Sequence, residues 1–194
     1  MPRQFYERES LEVARDLIGR LLVRELGGVR MVGRIVEAEA YGRDDPGSHA
    51  YRGLRRRNAS MFGPPARAYV YISHGIHHCF NVVCLSPSAV LVRAVEPLHG
   101  MQAMAGRRRL HDLRLLCAGP GRLCQAMGIT LAEDGRSLSG RDGLWLAAGE
   151  PAEDVAVTKR IGMSDAVNRP WRFVERGSRF ASRPPARVSR PPRW

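Results

Sequence analysis

The sequence of 194 residues contains almost no lysine: Lys159 is the only one among 31 lysines and arginines. Because there are 19 acidic residues, the formal net charge is +12 and the isoelectric point is about 10.8. Such an excess of positive charge indicates a polyanionic partner, and the arginine fork suits bidentate contacts with phosphate. A GC-rich genome would also replace lysine with arginine, so the charge supports nucleic-acid binding without proving it.

The sequence also lacks long apolar runs and paired cysteines. No segment approaches the roughly 18 apolar residues of a membrane-spanning helix, and the first residues, M-P-R-Q-F-Y-E-R-E-S, lack the apolar core of a signal peptide. None of the four cysteines forms a C-x-x-C pair, and the chain can bury a core without disulfides. We therefore expect a cytoplasmic protein of the bacterial cytosol and nucleoid, without membrane contact, whose cysteines are reduced and mostly buried.

Strand-like segments dominate the chain, and the helical segments are grouped instead of alternating with strands. This order favours an α+β fold, a single domain with a curved, mainly antiparallel sheet surrounded by helices. The predicted strands cover residues 22–26, 29–41, 69–73, 76–83, 89–95, 144–148, 155–161 and 171–175, and the predicted helices cover 11–18, 98–105, a region up to 117, and 122–127.

Two segments fall outside these elements. Residues 42–67 form a long loop rich in arginine, and a loop of that length in a compact domain is more often functional than idle. Residues 179–194 are basic, rich in proline and poor in apolar side chains, so we predict a domain over residues 1–178 followed by a disordered tail.

The segment G-R-I-V-E-A-E-A-Y at residues 33–41 carries two carboxylates two residues apart. The two-residue period of a strand places Glu37 and Glu39 on one face. A carboxylate in a core strand is costly unless it is paired or used in chemistry. Taken alone, this segment favours two glutamates on the wet face of an edge strand.

A second buried charge is predicted in V-L-V-R-A-V-E-P-L, where Arg93 is the single basic residue inside an apolar strand. A buried guanidinium needs a carboxylate, a phosphate or water as its partner. Farther along, the letters A-G-P-G-R place Pro120 in the first turn of a helix, beside Arg122. The free N–H groups there, near Gly119, can hold a DNA phosphate.

Taken together, these motifs resemble the alkyladenine (3-methyladenine) DNA glycosylase family. The matching segments are G-R-I-V-E-A-E-A-Y, M-F-G-P-P, Y-V-Y-I, V-L-V-R-A-V-E-P-L and L-C-A-G-P-G-R-L-C-Q-A-M-G-I, and they occur in the family's order from about residue 5 to about residue 178. The resemblance implies an enzyme that binds duplex DNA, flips out a damaged purine and hydrolyses its glycosidic bond, and a monomer is the default expectation. The implied substrates are 3-methyladenine, 7-methylguanine, hypoxanthine and ethenoadenine.

The resemblance also implies roles for individual residues. Glu39 matches the catalytic carboxylate that activates a water, and Arg93 matches the arginine that helps to hold that water. Ile161 matches the position whose backbone carbonyl completes the contacts of the water. Purine loss passes through an oxocarbenium-like state, which a nearby carboxylate stabilises.

Four further residues match the pocket and the DNA wedge of the family. Tyr41, His49 and Tyr71 match the side chains that sandwich the flipped base, and His49 would also donate a hydrogen bond to its edge. Asn81 matches the residue that crowds the 2-amino group of guanine. Where the family has an intercalating tyrosine, this chain has His74, which buries less area, so we expect weaker flipping or help from a neighbour such as His77.

Two other functions compete with this interpretation. A glycosylase that also cleaves the strand would use an amine, either Pro2 after removal of Met1 or the side chain of Lys159, but Arg3-Gln4-Phe5 replaces the acidic residues that follow such a proline. A DNA-binding protein without activity would fit the charge equally well and leave Glu39 unexplained. We predict neither a cofactor nor a metal, because the adjacent His77 and His78 would face opposite sides of a strand.

Overall fold

The longest strand, β2 (Val29–Tyr41), runs through the centre of an antiparallel sheet. The computed structural model describes residues 1–163 and 168–185. In the described part the other strands are β1 (Leu21–Leu26), β3 (Ala68–Ser73), β4 (His77–Val83), β5 (Ala89–His99), β6 (Leu144–Ala147), β7 (Val155–Thr158) and β8 (Arg172–Glu175). With β2 included, six strands follow the order β3-β4-β5-β2-β1-β6, and β8 pairs with both β2 and β7.

Other strands pair with both edges of β2. One edge pairs with β5, with irregular register around Glu37. The other edge pairs first with β1, over residues 29–34, and then with β8, over residues 37–39. Because the neighbouring strand changes at this point, the segment that carries the two glutamates lies between β5 and β8 in the interior of the sheet. The alternative of an edge strand is therefore wrong.

A tight turn sets the register of the first hairpin. Gly27 and Gly28 both have positive φ, 60° and 76°, the conformation that a two-residue turn between antiparallel strands requires. As a consequence, every residue of β1 pairs with a residue of β2, from Leu26 opposite Val29 to Leu21 opposite Arg34.

Helices cover the sheet and close the core. They are α1 (Ser10–Leu17), α2 (Met101–Arg108), α3 (Leu113–Leu116) and α4 (Pro120–Met127), with 3₁₀ turns at Arg3–Phe5, Arg56–Phe62 and Leu131–Glu133. Helix α1 buries Val13, Ala14 and Leu17 against the sheet. Proline at the first position of α4 and Gly128 after its last residue (φ 65°) mark its two ends.

The predicted fold class is confirmed, and most elements lie where the sequence places them. Two predicted boundaries are wrong. The helix predicted from residue 98 begins at Met101, because β5 continues to His99, with Pro97 opposite Gly33 of β2. The strand predicted over 155–161 ends at Thr158, which leaves Ile161 in an irregular segment.

All four cysteines are buried and free, as expected from their spacing. Within the described ranges, no helix combines the length and the apolar character that crossing a lipid bilayer requires.

The segment that follows β8 contacts the domain. Residues 178–185, which we call the C-terminal strap, turn back after Glu175 and reach β2 through Ser182. The predicted disordered tail begins at residue 179, so its first seven positions are part of this strap. Residues 186–194 lie outside the described residues, and for them disorder stays a prediction.

Candidate active site

Glu39 is fully buried, and three donors hold its carboxylate. The Tyr41 hydroxyl donates to Oε2 over 2.9 Å, Arg93 Nη1 donates to the same oxygen over 3.1 Å, and the Ile161 backbone N–H donates to Oε1 over 2.8 Å. Burial and the Glu39 charge raise the pKa of the Tyr41 phenol well above its ordinary value, so Tyr41 keeps the proton that it donates. All three partners are donors, an arrangement that suits an ionised carboxylate.

Glu37 is equally buried and accepts four hydrogen bonds. Arg93 Nε and Arg172 Nε each donate to Oε1 over 2.8 Å. Ser182 of the C-terminal strap donates its hydroxyl to Oε1 over 2.8 Å and its backbone N–H to Oε2 over 2.6 Å. Burial alone would raise the pKa of Glu37, but the two guanidinium groups and the Ser182 contact outweigh it and lower the pKa below its ordinary value.

Arg93 lies between the two glutamates and uses different nitrogens for each. Burial acts to lower the pKa of Arg93, but the Glu39 and Glu37 carboxylates outweigh that effect and raise it, so the guanidinium is permanently charged. With Arg172, the four side chains have a formal charge of zero, because two carboxylates face two guanidinium groups. Of the three partners considered for Arg93, a carboxylate, a phosphate or water, the structure supplies a carboxylate twice.

Aromatic rings surround a small cavity of about 130 Å³, and one of them, Tyr41, donates to Glu39. The rings of His49 and Tyr71 meet edge to face, with centroids 4.6 Å apart, and Tyr69 packs 5.5 Å from Tyr71. The residues that line the cavity are Tyr41, Gly47, His49, Met61, Tyr69, Tyr71, Asn81 and Met163. The structure therefore brings together all four residues predicted for the base pocket from residues 41–81.

His49 is fixed by a contact with the neighbouring strand. Its Nδ1 lies 2.7 Å from the Tyr69 hydroxyl. Burial raises the pKa of the Tyr69 phenol, so the phenol is protonated. Desolvation and the charge of Arg57 lower the pKa of His49, and solvent weakens both effects because the residue is exposed. At neutral pH the imidazole is therefore neutral.

Asn81 is buried on β4, and its orientation is set by the backbone. Its Nδ2 donates to the carbonyls of Tyr69 and Cys79, over 3.0 and 3.2 Å. Since both N–H bonds are used there, the amide oxygen is the group left for a ligand in the cavity.

The turn between β3 and β4 projects beyond the cavity. His74 has φ 50° and Gly75 has φ 74°, so the chain reverses there within a few residues. His74 is exposed, but the apolar residue at this tip is Ile76, which is 72% exposed. No other large hydrophobic side chain in the described part is more exposed. We did not expect this residue to matter, because a lone isoleucine in a sequence gives no sign of its exposure.

A wider groove of about 550 Å³ connects the turn to the three partners of Glu39. Tyr41, Arg93 and Ile161 line it, together with Tyr71, and His74 and His77 line it at the turn. Its lining also includes Arg108 and, at the start of α4, Gly119, Pro120, Gly121 and Arg122. The predicted phosphate site therefore faces the same groove as the partners of Glu39.

One pair of residues that supports the site was not predicted from the sequence. Arg160 forms a doubly hydrogen-bonded ion pair with Asp45, and both side chains are fully buried. Arg160 also donates to the Ala40 carbonyl and packs over the Tyr41 ring. Because Ile161 follows directly, the pair fixes the N–H group that contacts Glu39. Only the acidic start of the 42–67 loop, R-D-D-P-G, hinted at an anchoring carboxylate.

Comparisons with known proteins identify the family of the chain. The sequence model of the methylpurine-DNA glycosylase family matches residues 4–179. A relative from Rhodopseudomonas palustris (strain HaA2) is 51% identical over 187 residues, which cover 94% of this chain and 90% of the relative. For Agrobacterium fabrum the identity is 49%, with 94% and 92% covered, and for Carboxydothermus hydrogenoformans it is 44%, with 94% and 98% covered. All three are provisionally named 3-methyladenine DNA glycosylases.

Proposed function

Because the chain belongs to the methylpurine-DNA glycosylase family, we propose that it flips damaged purines out of duplex DNA and hydrolyses their glycosidic bond with a water that Glu39 activates. The family and its relatives make the chain a DNA glycosylase for alkylated bases. The observation that carries the proposed mechanism is the position of Glu39, a fully buried carboxylate held by three donors beside a cavity lined with aromatic rings.

The aromatic cavity supports recognition of a damaged base. An alkylated or protonated purine is electron-poor and stacks on Tyr41, Tyr71 and His49 more favourably than a normal base does. A neutral His49 that accepts the Tyr69 hydroxyl proton at Nδ1 has its own proton on Nε2, where it would donate to the base edge. We extend the proposal to 3-methyladenine, 7-methylguanine, hypoxanthine and ethenoadenine as substrates, with Asn81 crowding a 2-amino group.

The chemical step would proceed at Glu39. The bond between C1′ and the purine nitrogen breaks, and its electron pair leaves with the base. Water attacks C1′ and transfers a proton to Glu39, which leaves an abasic site and an intact strand. Arg93 and the Ile161 backbone hold the carboxylate in place, and the predicted carbonyl contact of Ile161 with the water is part of this proposal.

The reaction needs no amine. Lys159, the only lysine, is exposed and donates to Asn168 over 2.8 Å, so its side chain is engaged at the surface. This arrangement supports hydrolysis without strand cleavage. Trapping of a covalent complex between enzyme and DNA by borohydride would contradict it.

The turn between β3 and β4 and the start of α4 would contact the DNA. We propose that His74 and Ile76 both enter the space that the flipped nucleotide leaves, with Ile76 supplying most of the apolar area, and that Arg122 and the backbone around Gly119 bind a phosphate. Since the proposed substrate is chromosomal, we place the protein, as a monomer, in the bacterial cytosol and nucleoid.

A single-turnover assay tests the function. Duplexes with one hypoxanthine or one ethenoadenine are incubated with the protein, and abasic sites are read as nicks after hot alkali. We expect nicks that depend on alkali with the wild type and with Glu12→Gln, a change at an exposed glutamate of α1. In Glu39→Gln the nicks should be lost while lesion binding remains.

The same assay separates the alternatives. Nicks without alkali would indicate strand cleavage. If the wild type releases neither base, release of 3-methyladenine from alkylated DNA decides the question, and no release there would leave a DNA-binding protein without glycosylase activity.

A further inference from the structure

Glu37 and the C-terminal strap lie behind the catalytic side chains, and no step of the proposed reaction uses them. The carboxylate of Glu37 is fully buried and accepts hydrogen bonds from Arg93, Arg172 and twice from Ser182. An ionised carboxylate offers about four lone-pair sites. Four hydrogen bonds from protein donors therefore hold Glu37, three at Oε1 and one at Oε2.

Glu39 differs in this respect. Its carboxylate accepts three hydrogen bonds, from Tyr41, Arg93 and Ile161. By the same count, about one acceptor position remains. This position is what a general base needs, and it stays free only while Arg93 uses a single nitrogen on Glu39.

The orientation of Arg93 depends on Glu37. A planar guanidinium can bind one carboxylate through two parallel N–H bonds. Here Nε is held by Glu37, and only Nη1 reaches Glu39. Without Glu37, the guanidinium would be free to pair with Glu39 through two nitrogens and to occupy the acceptor position that remains.

The C-terminal strap in turn determines where Glu37 lies. Ser182 supplies two of its four donors, and Arg172, which supplies a third, also donates to the carbonyl of Arg183 in the strap. We propose that Glu37 is a positioning residue for Arg93 and that the C-terminal strap, through Ser182, holds Glu37 in place. This inference rests on the proposed glycosylase function, because its effect is on the rate of base release.

The test uses point variants of the full chain. In Glu37→Gln we expect the single-turnover rate constant of hypoxanthine release to fall by up to about 100-fold, as for a misplaced catalytic group. In Ser182→Ala, which keeps the backbone N–H bond, we expect a loss of roughly tenfold or less, because one hydrogen bond is removed. Ser182→Thr keeps the hydroxyl and should retain the wild-type rate. Ser178→Ala serves as the matched control, because it removes a hydroxyl from the same strap. That hydroxyl accepts a hydrogen bond from the Phe180 backbone N–H.

Two readouts separate positioning from mere stability. If Glu37 only supported the fold, its variants would reduce the fraction of active enzyme and leave the rate constant of that fraction unchanged. Positioning lowers the rate constant and leaves the affinity for lesion DNA unchanged. The double variant Glu37→Gln with Ser182→Ala should be no slower than Glu37→Gln alone, since Ser182 acts through Glu37.

The outcomes also separate this inference from the proposed function. A wild type that releases no base from any lesion overturns the function, whereas an active wild type and an unchanged rate constant in both variants overturns only the inference. A crystal structure of Ser182→Ala gives a readout that does not require turnover. We expect Glu37 or Arg93 to move, and an unaltered arrangement of both would contradict the role of the strap.

Discussion

Glu37 and Glu39 stand two residues apart on β2, both are fully buried and both contact Arg93, but their other surroundings differ. On the Glu37 side, Arg172 and the C-terminal strap supply three further hydrogen bonds. On the Glu39 side, the two further donors are Tyr41, which lines the aromatic cavity, and the Ile161 backbone. The two carboxylates thus differ in the number and origin of their donors, and this difference is the basis of the separate roles that we propose for them.

The largest expected effect comes from removing the charge of Glu39. Glu39→Gln should reduce the rate of base release by about 10²–10⁴-fold, the usual contribution of a general base. Its loss should exceed that of Glu37→Gln by at least about tenfold. Single-turnover rates of both variants, measured together on hypoxanthine DNA, make this comparison, and equal losses would mean that the two carboxylates share one role.

The support of Glu39 can be broken at a distance. Asp45→Asn leaves the buried Arg160 without its charged partner, and we expect a loss of about 3–5 kcal/mol in the free energy of unfolding. The variant should also slow base release, since Ile161 follows Arg160. Urea denaturation measures the first effect. Asp44→Asn, at the exposed neighbour, is the control, and equal stability of the two variants would show that the buried pair contributes nothing.

The support of Glu37 should depend on pH. We expect Glu37→Gln to cost about 3 kcal/mol at pH 7, because two buried guanidinium groups lose a charged partner. The folded pKa of Glu37 lies below its ordinary value of 4.5, so its contribution is present above pH 4.5 and is lost as the pH falls through the folded pKa.

Denaturation of Glu37→Gln and wild type at several pH values between 7 and 3 tests this sign. The stability difference between them should be constant at the upper end and shrink towards the lower end. Glu25→Gln, which breaks the exposed pair with Arg30, should cost no more than about 1 kcal/mol. A difference that grows towards acid pH would contradict the assignment.

The smallest effect is expected in the turn between β3 and β4, where neither Glu37 nor Glu39 is involved. Ile76→Ala should weaken flipping by about 1 kcal/mol, or roughly fivefold, because less apolar area enters the DNA. It should leave the rate of the chemical step unchanged, and His74→Ala should have a smaller effect. Fluorescence of a flipped ethenoadenine reports the equilibrium, with Leu113→Ala as an exposed apolar control. A larger loss of flipping in His74→Ala than in Ile76→Ala would show that the histidine is the main residue that enters the DNA.

Local pattern was enough to predict much of this arrangement. The period of two in I-V-E-A-E-A-Y predicted that Glu37 and Glu39 share a face, and their common contact with Arg93 agrees with it. The isolation of Arg93 in an apolar strand predicted a carboxylate, a phosphate or water as its partner, and the structure supplies two carboxylates. Both inferences succeed because a buried charge must be compensated, and few groups in the sequence were able to compensate it.

What the sequence did not show involves contacts between distant segments. Asp45 and Arg160 are 115 residues apart, and Glu37 and Ser182 are 145 residues apart. The start of the tail was predicted to be disordered because apolar content estimates hydrophobic burial, whereas Ser182 is held by its hydroxyl and backbone N–H. Hydropathy does not indicate that a segment is held by polar contacts of this kind.

The position of Ser182 along the chain has a consequence for biosynthesis. A ribosome makes β2, with both glutamates, early, and the donors from β8 and the strap emerge last. A nascent or prematurely terminated chain that ends before Ser182 would have both glutamates but not the two bonds that Ser182 donates to Glu37. Under the role that we propose for Glu37, such a product would release bases more slowly than the full chain, because the support of Glu37 is complete only after the strap has been translated.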